Sequence, residues 1–214
     1  MRNIIFMAGV LGAFLFITAS IFGGIQIDDY SFISQFISES YATGIPNATY
    51  LRYAYIASGS LFTLFGLMAP HQITKPKIKE IRVGFFLFAL FYGVGTITTG
   101  FFPCDMGCNP DPETASLSQF IHNTTGFLTY SVVPFCLMGI GFSSRKSMNT
   151  VSFSKTSLTC GILAFVFVIL LLSNPTGDYI GLFQRIVEAS VLYWVIYVAF
   201  YIRGTKNKTS KDRT

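Results

Sequence analysis

Charged residues are scarce in this sequence. Only 12% of its 214 residues are Asp, Glu, Lys or Arg, about half the share of an ordinary soluble domain. Hydrophobic residues make up 51%, including 23 Phe, and the mean hydropathy is +0.55. This composition excludes an ordinary soluble domain, because several uncharged runs are long enough to cross the roughly 30 Å of hydrocarbon in a bilayer.

The sequence also lacks the short motifs that hold common cofactors. It has no haem-attachment motif and no glycine-rich turn between a strand and a helix, so haem and nicotinamide enzymes have no support. Its four cysteines do not include the C-x-x-C spacing of thioredoxin-like redox sites. We therefore expect no cofactor.

Six apolar runs predict an all-α, polytopic membrane protein with six transmembrane helices in a single domain, residues 1–203. The predicted helices cover residues about 4–27, 53–69, 83–102, 120–142, 158–173 and 186–202. The first run is too long for a signal peptide and lacks a good cleavage site, so we interpret it as a retained helix. The shorter runs need their flanks to reach the roughly 20 residues of a spanning helix.

Lysine and arginine indicate the orientation of the helices, because they concentrate in cytoplasmic segments. Thirteen of the 15 basic residues fall on one side of the six-helix arrangement. They are Arg2; Lys75, Lys77, Lys79 and Arg82; Arg145, Lys146 and Lys155; and Arg203, Lys206, Lys208, Lys211 and Arg213. Both termini, with the basic tail 204–214, are therefore predicted to be cytoplasmic. The net charge of +5 reflects membrane insertion rather than nucleic-acid binding.

The first outer connection predicts a short amphipathic helix over residues about 30–40. Phe32, Ile33, Phe36 and Ile37 fall on one face at helical spacing, and polar residues occupy the other. Such a helix can lie in the outer membrane interface or pack as a lid over the mouth of the bundle. These two interpretations are compatible.

The second outer connection contains a cysteine-bearing string that reads Phe-Pro-Cys-Asp-Met-Gly-Cys. We expect a disulfide between Cys104 and Cys108, because the outer compartment is oxidising. A redox-active or free thiol pair and a metal site are the alternatives. Zinc usually takes four ligands, and only Asp105 and His122 are obvious additions to the two cysteines, so we predict no metal.

Five ionisable side chains near the outer ends of the helices each have a structural and a functional interpretation. His122 either bonds across the bundle or serves as a proton donor, acceptor or ligand. Arg185 and Glu188 are three residues apart and can pair on one helix face. Arg52 and Arg185 can extend to the interface or clamp a phosphate or carboxylate. Glu39 can pair with either arginine or act as a general base.

These groups come from four segments but share one membrane depth on the outer side, so a single bundle can bring them into one polar pocket. Within it we assign catalytic roles to His122, Glu39 and Asp105. The candidate ligand-binding residues are Arg52, Arg185, Gln184, Glu188, Ser38 and Asn123.

Several short motifs resemble those of a known family. They are Ile37-Ser38-Glu39, Ala42-Thr43-Gly44 with Pro46, Gly100, Phe102-Pro103-Cys104-Asp105 with Gly107-Cys108, His122-Asn123 with Gly126, and Gly181 with Gln184-Arg185. On these residues the chain, over nearly its whole length, resembles the bacterial integral membrane proteins catalogued as domain of unknown function 998. Ser40-Tyr41 departs from the Leu-Gly expected there, which affects only the local turn.

The resemblance implies a six-helix protein of the bacterial plasma (inner) membrane and supplies no activity. A more distant, fold-level similarity to eukaryotic membrane proteins that remodel glycolipid anchors favours lipids as partners. The leading hypothesis is a protein that binds or processes a lipid or lipid-linked anionic group at the outer leaflet.

A non-catalytic membrane sensor or assembly partner is the first alternative to lipid handling, and a small transporter is the second. The middle of the predicted spans carries no charge, which disfavours ion-coupled transport. The sequence does not decide whether the protein is an enzyme.

Overall fold

The computed structural model describes residues 1–73, 78–108, 113–147 and 151–211, which form helices joined by turns. The elements are α1 (Arg2–Ile25), a 3₁₀ helix (Ile37–Tyr41), α2 (Ala48–Met68), α3 (Pro70–Ile73), α4 (Lys79–Phe88), a π-helical segment (Ala89–Val94), α5 (Gly95–Phe101), α6 (Leu117–Ser147), α7 (Val151–Ser173) and α8 (Ile180–Lys211). Lys75, Lys77 and Arg213, which contributed to the predicted orientation, lie outside the described residues.

Five helical stretches are long and apolar enough to cross a membrane. They are Arg2–Ile25, Lys79–Phe101, Leu117–Arg145, Val151–Ser173 and Ile180–Gly204. The predicted all-α membrane protein is thereby confirmed. The remaining long helix in the described part of the chain, α2, is less apolar because it carries Arg52 and several hydroxyl side chains. The predicted count of six spans therefore depends on α2.

The helices after α1 are longer than the apolar runs that predicted them, whereas α1 has the predicted length and is shifted by two residues. The predicted helix 120–142 extends over Leu117–Ser147, and 186–202 extends over Ile180–Lys211. Backbone hydrogen bonding continues into polar flanks, whereas an apolar run marks only the part of a helix suited to lipid. Gln184 and Arg185, predicted to open the last helix, lie on its first two turns.

The predicted amphipathic helix over residues 30–40 is replaced by turns followed by the 3₁₀ helix. Side chains there take up backbone donors that a helix would use: Ser34 N donates to Ser31 Oγ (3.2 Å) and Phe36 N donates to Glu39 Oε1 (2.8 Å). Such local bonds compete with helical ones. We call residues 30–43 the lid, because they lie across one end of the bundle.

Two glycines bring α2 against the π-helical segment. A Cβ at Gly59 would lie 2.7 Å from the carbonyl oxygen of Gly93, and a Cβ at Gly93 would lie 2.6 Å from the backbone nitrogen of Thr63. Only glycine allows so close an approach, as is common between membrane helices. The contact fixes the depth at which Tyr92, beside Gly93, points into the bundle.

Candidate functional site

A polar cavity of about 80 Å³ lies between the lid and the helices α1, α2, α5, α6 and α8. Its wall holds four tyrosines, the smaller hydroxyls of serine and threonine, and three further polar side chains. These residues are Tyr41, Tyr55, Tyr92 and Tyr130; Ser38, Thr96, Thr99 and Thr129; and His122, Gln184 and Glu188. The structure thus brings together four of the nine residues predicted for catalysis or binding: Ser38, His122, Gln184 and Glu188.

Glu188 is the acidic group of this cavity, and its side chain is 7% exposed. Tyr92 donates to its Oε2 (2.7 Å) and Tyr130 donates to its Oε1 (2.8 Å). Within the described residues both hydrogen-bond partners are therefore neutral hydroxyls. A carboxylate in this setting can accept further hydrogen bonds, because its two oxygens offer about four acceptor positions.

Gln184 connects the cavity to the lid. Its Nε2 donates to the hydroxyl of Tyr130 (2.9 Å), and its Oε1 accepts from the backbone nitrogen of Ile37 (2.7 Å). Gln184 and Glu188 are four residues apart and share one face of α8. Both side chains form hydrogen bonds with the hydroxyl of Tyr130, so one buried network joins the lid, α6 and α8.

Arg185 and Glu188, which the sequence allowed to pair, have separate partners. Arg185 Nη1 donates to the carbonyls of Gln35 (2.8 Å) and Gly181 (3.0 Å), and Nη2 donates to the hydroxyl of Tyr30 (2.7 Å). Burial raises the pKa of Tyr30 above its usual value, despite the opposing effect of this guanidinium. The lid supplies oxygens at the level of Arg185, whereas Glu188 lies one turn deeper, where the tyrosine hydroxyls reach it.

His122 lies in the cavity wall and is 7% exposed. Its Nδ1 is 2.9 Å from the carbonyl oxygen of Phe102, and its ring also interacts with the backbone of Thr99. Because a carbonyl only accepts, Nδ1 carries a proton in this arrangement. The bond holds the ring against the end of α5 with one edge at the cavity.

Arg52 and Glu39 hold the lid rather than line the cavity. Arg52 Nε donates to the carbonyl of Tyr41 (2.9 Å), and its Nη2 donates to that of Ala42 (3.0 Å). Glu39 Oε1 accepts from the backbone nitrogen of Phe36 (2.8 Å), and Oε2 accepts from Nε2 of Gln35 (2.9 Å). The roles predicted for these two residues stay predictions, and their observed partners are structural.

The cysteine-bearing loop packs beside the lid, with Cys104 and Cys108 forming a disulfide whose Cα atoms are 5.0 Å apart. Gly107 and Cys108 adopt left-handed backbone angles, φ +79° and +54°, which close the turn. Cys108 Sγ lies 3.3 Å from Oγ of Ser38, so the disulfide contacts the lid directly.

Asp105 binds the start of α6. Its carboxylate accepts from the backbone nitrogen (2.9 Å) and the hydroxyl (2.7 Å) of Ser116, and these bonds hold the pKa of Asp105 below its usual value. Gln119 completes the junction: its Oε1 accepts from Asp105 N (2.7 Å), and its Nε2 donates to Asn123 Oδ1 (2.8 Å). Asp105 therefore positions the helix that carries His122.

Two lateral grooves adjoin the cavity. The α1–α8 groove, about 430 Å³, has an apolar wall that includes Ile17, Ile21, Leu192 and Ile196 and shares Phe16, Ile37 and Glu188 with the cavity. The α6–α7 groove, about 280 Å³, includes Phe127, Leu171 and Leu172 and shares Ser38, His122, Gly126, Tyr130 and Gln184 with the cavity. Asn123 lines the second groove. The polar cavity is thus bordered by grooves with apolar walls on two sides.

The sequence reasoning missed the four cavity tyrosines and Gln119. A hydroxyl inside an apolar run needs a partner, so Tyr92 and Tyr130 were available as a signal, and Gln119 stands four residues before Asn123 on the same helix face. Among the residues that the structure describes, no three His, Cys, Asp or Glu side chains lie close enough to hold a metal ion.

No curated protein and no solved structure matches this chain. One family model matches, over residues 10–201, which include all the helices of the bundle apart from the ends of α1 and α8. The chain therefore belongs to the family described as protein of unknown function (DUF998).

Proposed function

We propose that this protein binds a membrane lipid from the outer leaflet, with the lipid headgroup in the polar cavity. In the proposed arrangement the protein lies in the bacterial plasma membrane, α2 is the sixth spanning helix and both termini are cytoplasmic. The close packing of α2 on the π-helical segment and the one-sided distribution of basic residues support this arrangement.

The main support for lipid binding is that the polar cavity is continuous with the apolar grooves. A lipid has a polar head joined to apolar chains, and Glu188 lines both the polar cavity and the apolar α1–α8 groove. A water-soluble ligand makes no use of the exposed apolar side chains of Ile17 and Ile21 in this groove, whereas an acyl chain can pack against them. The site favours a molecule that is already dissolved in the bilayer.

The positions of the two arginines indicate which of them can bind the anionic group of a lipid. Arg185 lines the α1–α8 groove, so it is the arginine placed to meet a lipid phosphate. Arg52 binds lid carbonyls away from both grooves, and we assign it to holding the lid. If the lipid is also processed, His122 is the group placed for proton transfer at the cavity wall.

Filling the cavity tests lipid binding. Gly126 borders the cavity and the α6–α7 groove, and a Cβ added there meets nothing within 4 Å. We expect Gly126→Leu to fill this space and to reduce the lipid retained by purified protein in nanodiscs, measured by mass spectrometry, by about tenfold. Gly139→Leu is the matched control, because Gly139 lies on the same helix, is equally open and does not line the cavity. Equal lipid retention in both variants would contradict the proposal.

The proposed orientation has its own test. A fluorescent protein that matures only in the cytoplasm should be bright when fused after residue 214. Asp178→Cys, at an exposed position just before α8, should react in intact cells with a maleimide that cannot cross the membrane. A dark fusion or an unlabelled cysteine would contradict six spans with cytoplasmic termini.

A further inference from the structure

The α1–α8 groove presents an arginine and a glutamate one helical turn apart. Arg185 and Glu188 both line it, and residues three apart on a helix share a face. Arg185 lies at the level of the lid, and Glu188 lies deeper, at the junction with the polar cavity. Because their hydrogen-bond partners are different, neither charge is used to neutralise the other.

Glu188 is suited to receive a cation. Its partners in the described part of the chain are the hydroxyls of Tyr92 and Tyr130, which leave acceptor positions free on both oxygens. A buried carboxylate within a membrane is costly unless a positive charge accompanies it. The aromatic rings of Phe16, Tyr41 and Tyr92 line the same cavity, and aromatic faces attract ammonium groups.

Arg185 is suited to receive an anion. Its hydrogen-bond partners among the described residues are two carbonyls and one hydroxyl, all neutral. Its Nε is buried and has no hydrogen-bond partner there. The guanidinium lies 5.0 Å from the ring centre of Phe32, which also lines the groove. A phosphate at this point would find a full positive charge, and arginine binds phosphate well.

We propose that the α1–α8 groove selects a zwitterionic phospholipid headgroup, with the phosphate at Arg185 and a primary ammonium at Glu188. A two-carbon linker joins these groups in such a headgroup, which suits side chains one helical turn apart. The cavity of about 80 Å³ and the acceptor oxygens of Glu188 favour a small ammonium with N–H donors over a bulky quaternary one. This inference rests on the proposed function, because it names the lipid that the site takes.

The unmodified protein provides the first test. Photoactivatable phosphatidylethanolamine, phosphatidylcholine and phosphatidylglycerol with identical chains are compared by crosslinking to the protein in nanodiscs. We expect the ethanolamine lipid to be captured at least about tenfold more than either of the others, since one hydrogen bond to a charged group accounts for such a ratio. Equal capture of all three lipids would overturn the inference.

Variants of the two charged residues test the assignment. Glu188→Gln should reduce the ethanolamine preference about tenfold while capture of phosphatidylglycerol persists. Asp178→Asn, which removes the same charge from an exposed position, should leave the preference unchanged. If Glu188→Gln keeps the preference for ethanolamine, Glu188 does not recognise the ammonium and the inference is wrong.

Arg185→Gln should reduce capture of all three phospholipids about tenfold and leave capture of a photoactivatable diacylglycerol unchanged, whereas Arg185→Lys should restore part of the phospholipid capture. Arg52→Gln is the control, because Arg52 also binds lid carbonyls but lies outside the groove. An equal loss in Arg52→Gln would mean that lid damage, rather than phosphate binding, explains the effect.

The outcomes separate the two proposals. Absence of capture for every lipid by the unmodified protein would remove both proposals. Capture that Gly126→Leu reduces, but without headgroup preference, would remove only the assignment of a zwitterionic headgroup.

Discussion

The hydroxyl of Tyr92 donates to Oε2 of Glu188 across 2.7 Å, joining the π-helical segment to α8 although the two residues are 96 positions apart. π-Helical turns are rare and occur often at functional sites. Here the turn contains the tyrosine that reaches the buried carboxylate. The pair is both a tertiary link and part of the cavity wall, and its removal should be detected as a loss of stability.

Tyr92→Phe should lower the free energy of unfolding by about 1–3 kcal/mol, because it leaves one oxygen of a buried carboxylate without its donor. The measurement is a denaturant titration in mixed micelles. Tyr53→Phe, at a position that is 64% exposed, is the control and should have little effect. Equal stability of Tyr92→Phe and the unmodified protein would show that this hydrogen bond contributes nothing to the fold.

Asp105 should make the stability of the outer end depend on pH. Its folded-state pKa is lowered by the bonds from Ser116, so the stabilisation is fully present above the unfolded pKa of about 3.9 and is lost as the pH falls through the lower folded value. The unmodified protein should therefore be more stable than Asp105→Asn at pH 7, with the difference vanishing in strong acid. Melting temperatures measured from pH 7 down into strong acid, below the folded-state pKa, test this, and Asp178→Asn should show no such pH-dependent difference.

The disulfide should contribute modestly to stability. Cys104 and Cys108 are only four positions apart, so the closed ring is small and the expected gain is about 2 kcal/mol, at the lower end of the usual range. A reductant should lower the melting temperature of the unmodified protein but not of a Cys104→Ser, Cys108→Ser double variant. Replacing the buried free cysteines Cys136 and Cys160 with alanine should leave the response to reductant intact. Maleimide labelling of Cys104 in untreated protein would argue instead for a free thiol.

Gly59→Ala should destabilise the bundle, because its Cβ would lie 2.7 Å from the carbonyl oxygen of Gly93 and 2.8 Å from the nitrogen of Ile97. These are backbone atoms that cannot rotate away, so we expect a loss of about 1–3 kcal/mol. Gly139→Ala, in open space on α6, should be neutral or slightly stabilising, because alanine is the better helix former. The same micelle titration measures both, and equal stabilities would mean that the helices separate easily at Gly59.

The fold was predictable to the extent that it depends on hydropathy. Runs without charge identify membrane helices because the bilayer imposes one length and one polarity on every span. The same argument failed for residues 30–40, where local hydrogen bonds to the side chains of Ser31 and Glu39 replaced the helix that apolar spacing indicated. Hydropathy also did not predict where α8 begins and ends, because both ends extend beyond its apolar run into polar residues.

The sequence indicated which polar residues lie near one another, but not which partners their side chains bind. His122, Gln184 and Glu188, which the sequence grouped by their predicted depth, all line the polar cavity. The direction of the Arg185 side chain could not be derived, because one of its partner carbonyls, that of Gln35, comes from the lid, 150 positions earlier in the chain. Spacing along one helix predicts which side chains can pair, whereas the packing of other elements decides which ones do.

The lid has a practical consequence for insertions into the chain. A surface connection usually tolerates added residues, but this one is hydrogen-bonded from Leu182 N to Ile33 O (2.8 Å) and from Thr43 N to Cys104 O (2.9 Å). Its length is thereby matched to the distance between α8 and the cysteine-bearing loop. A short epitope should be accepted at the exposed Asp28 and Asp29, whereas the same epitope between residues 35 and 43 would separate the two attachments. The connection between α1 and α2 therefore contains one stretch that can be lengthened freely and one whose length is fixed by the two hydrogen-bonded attachments.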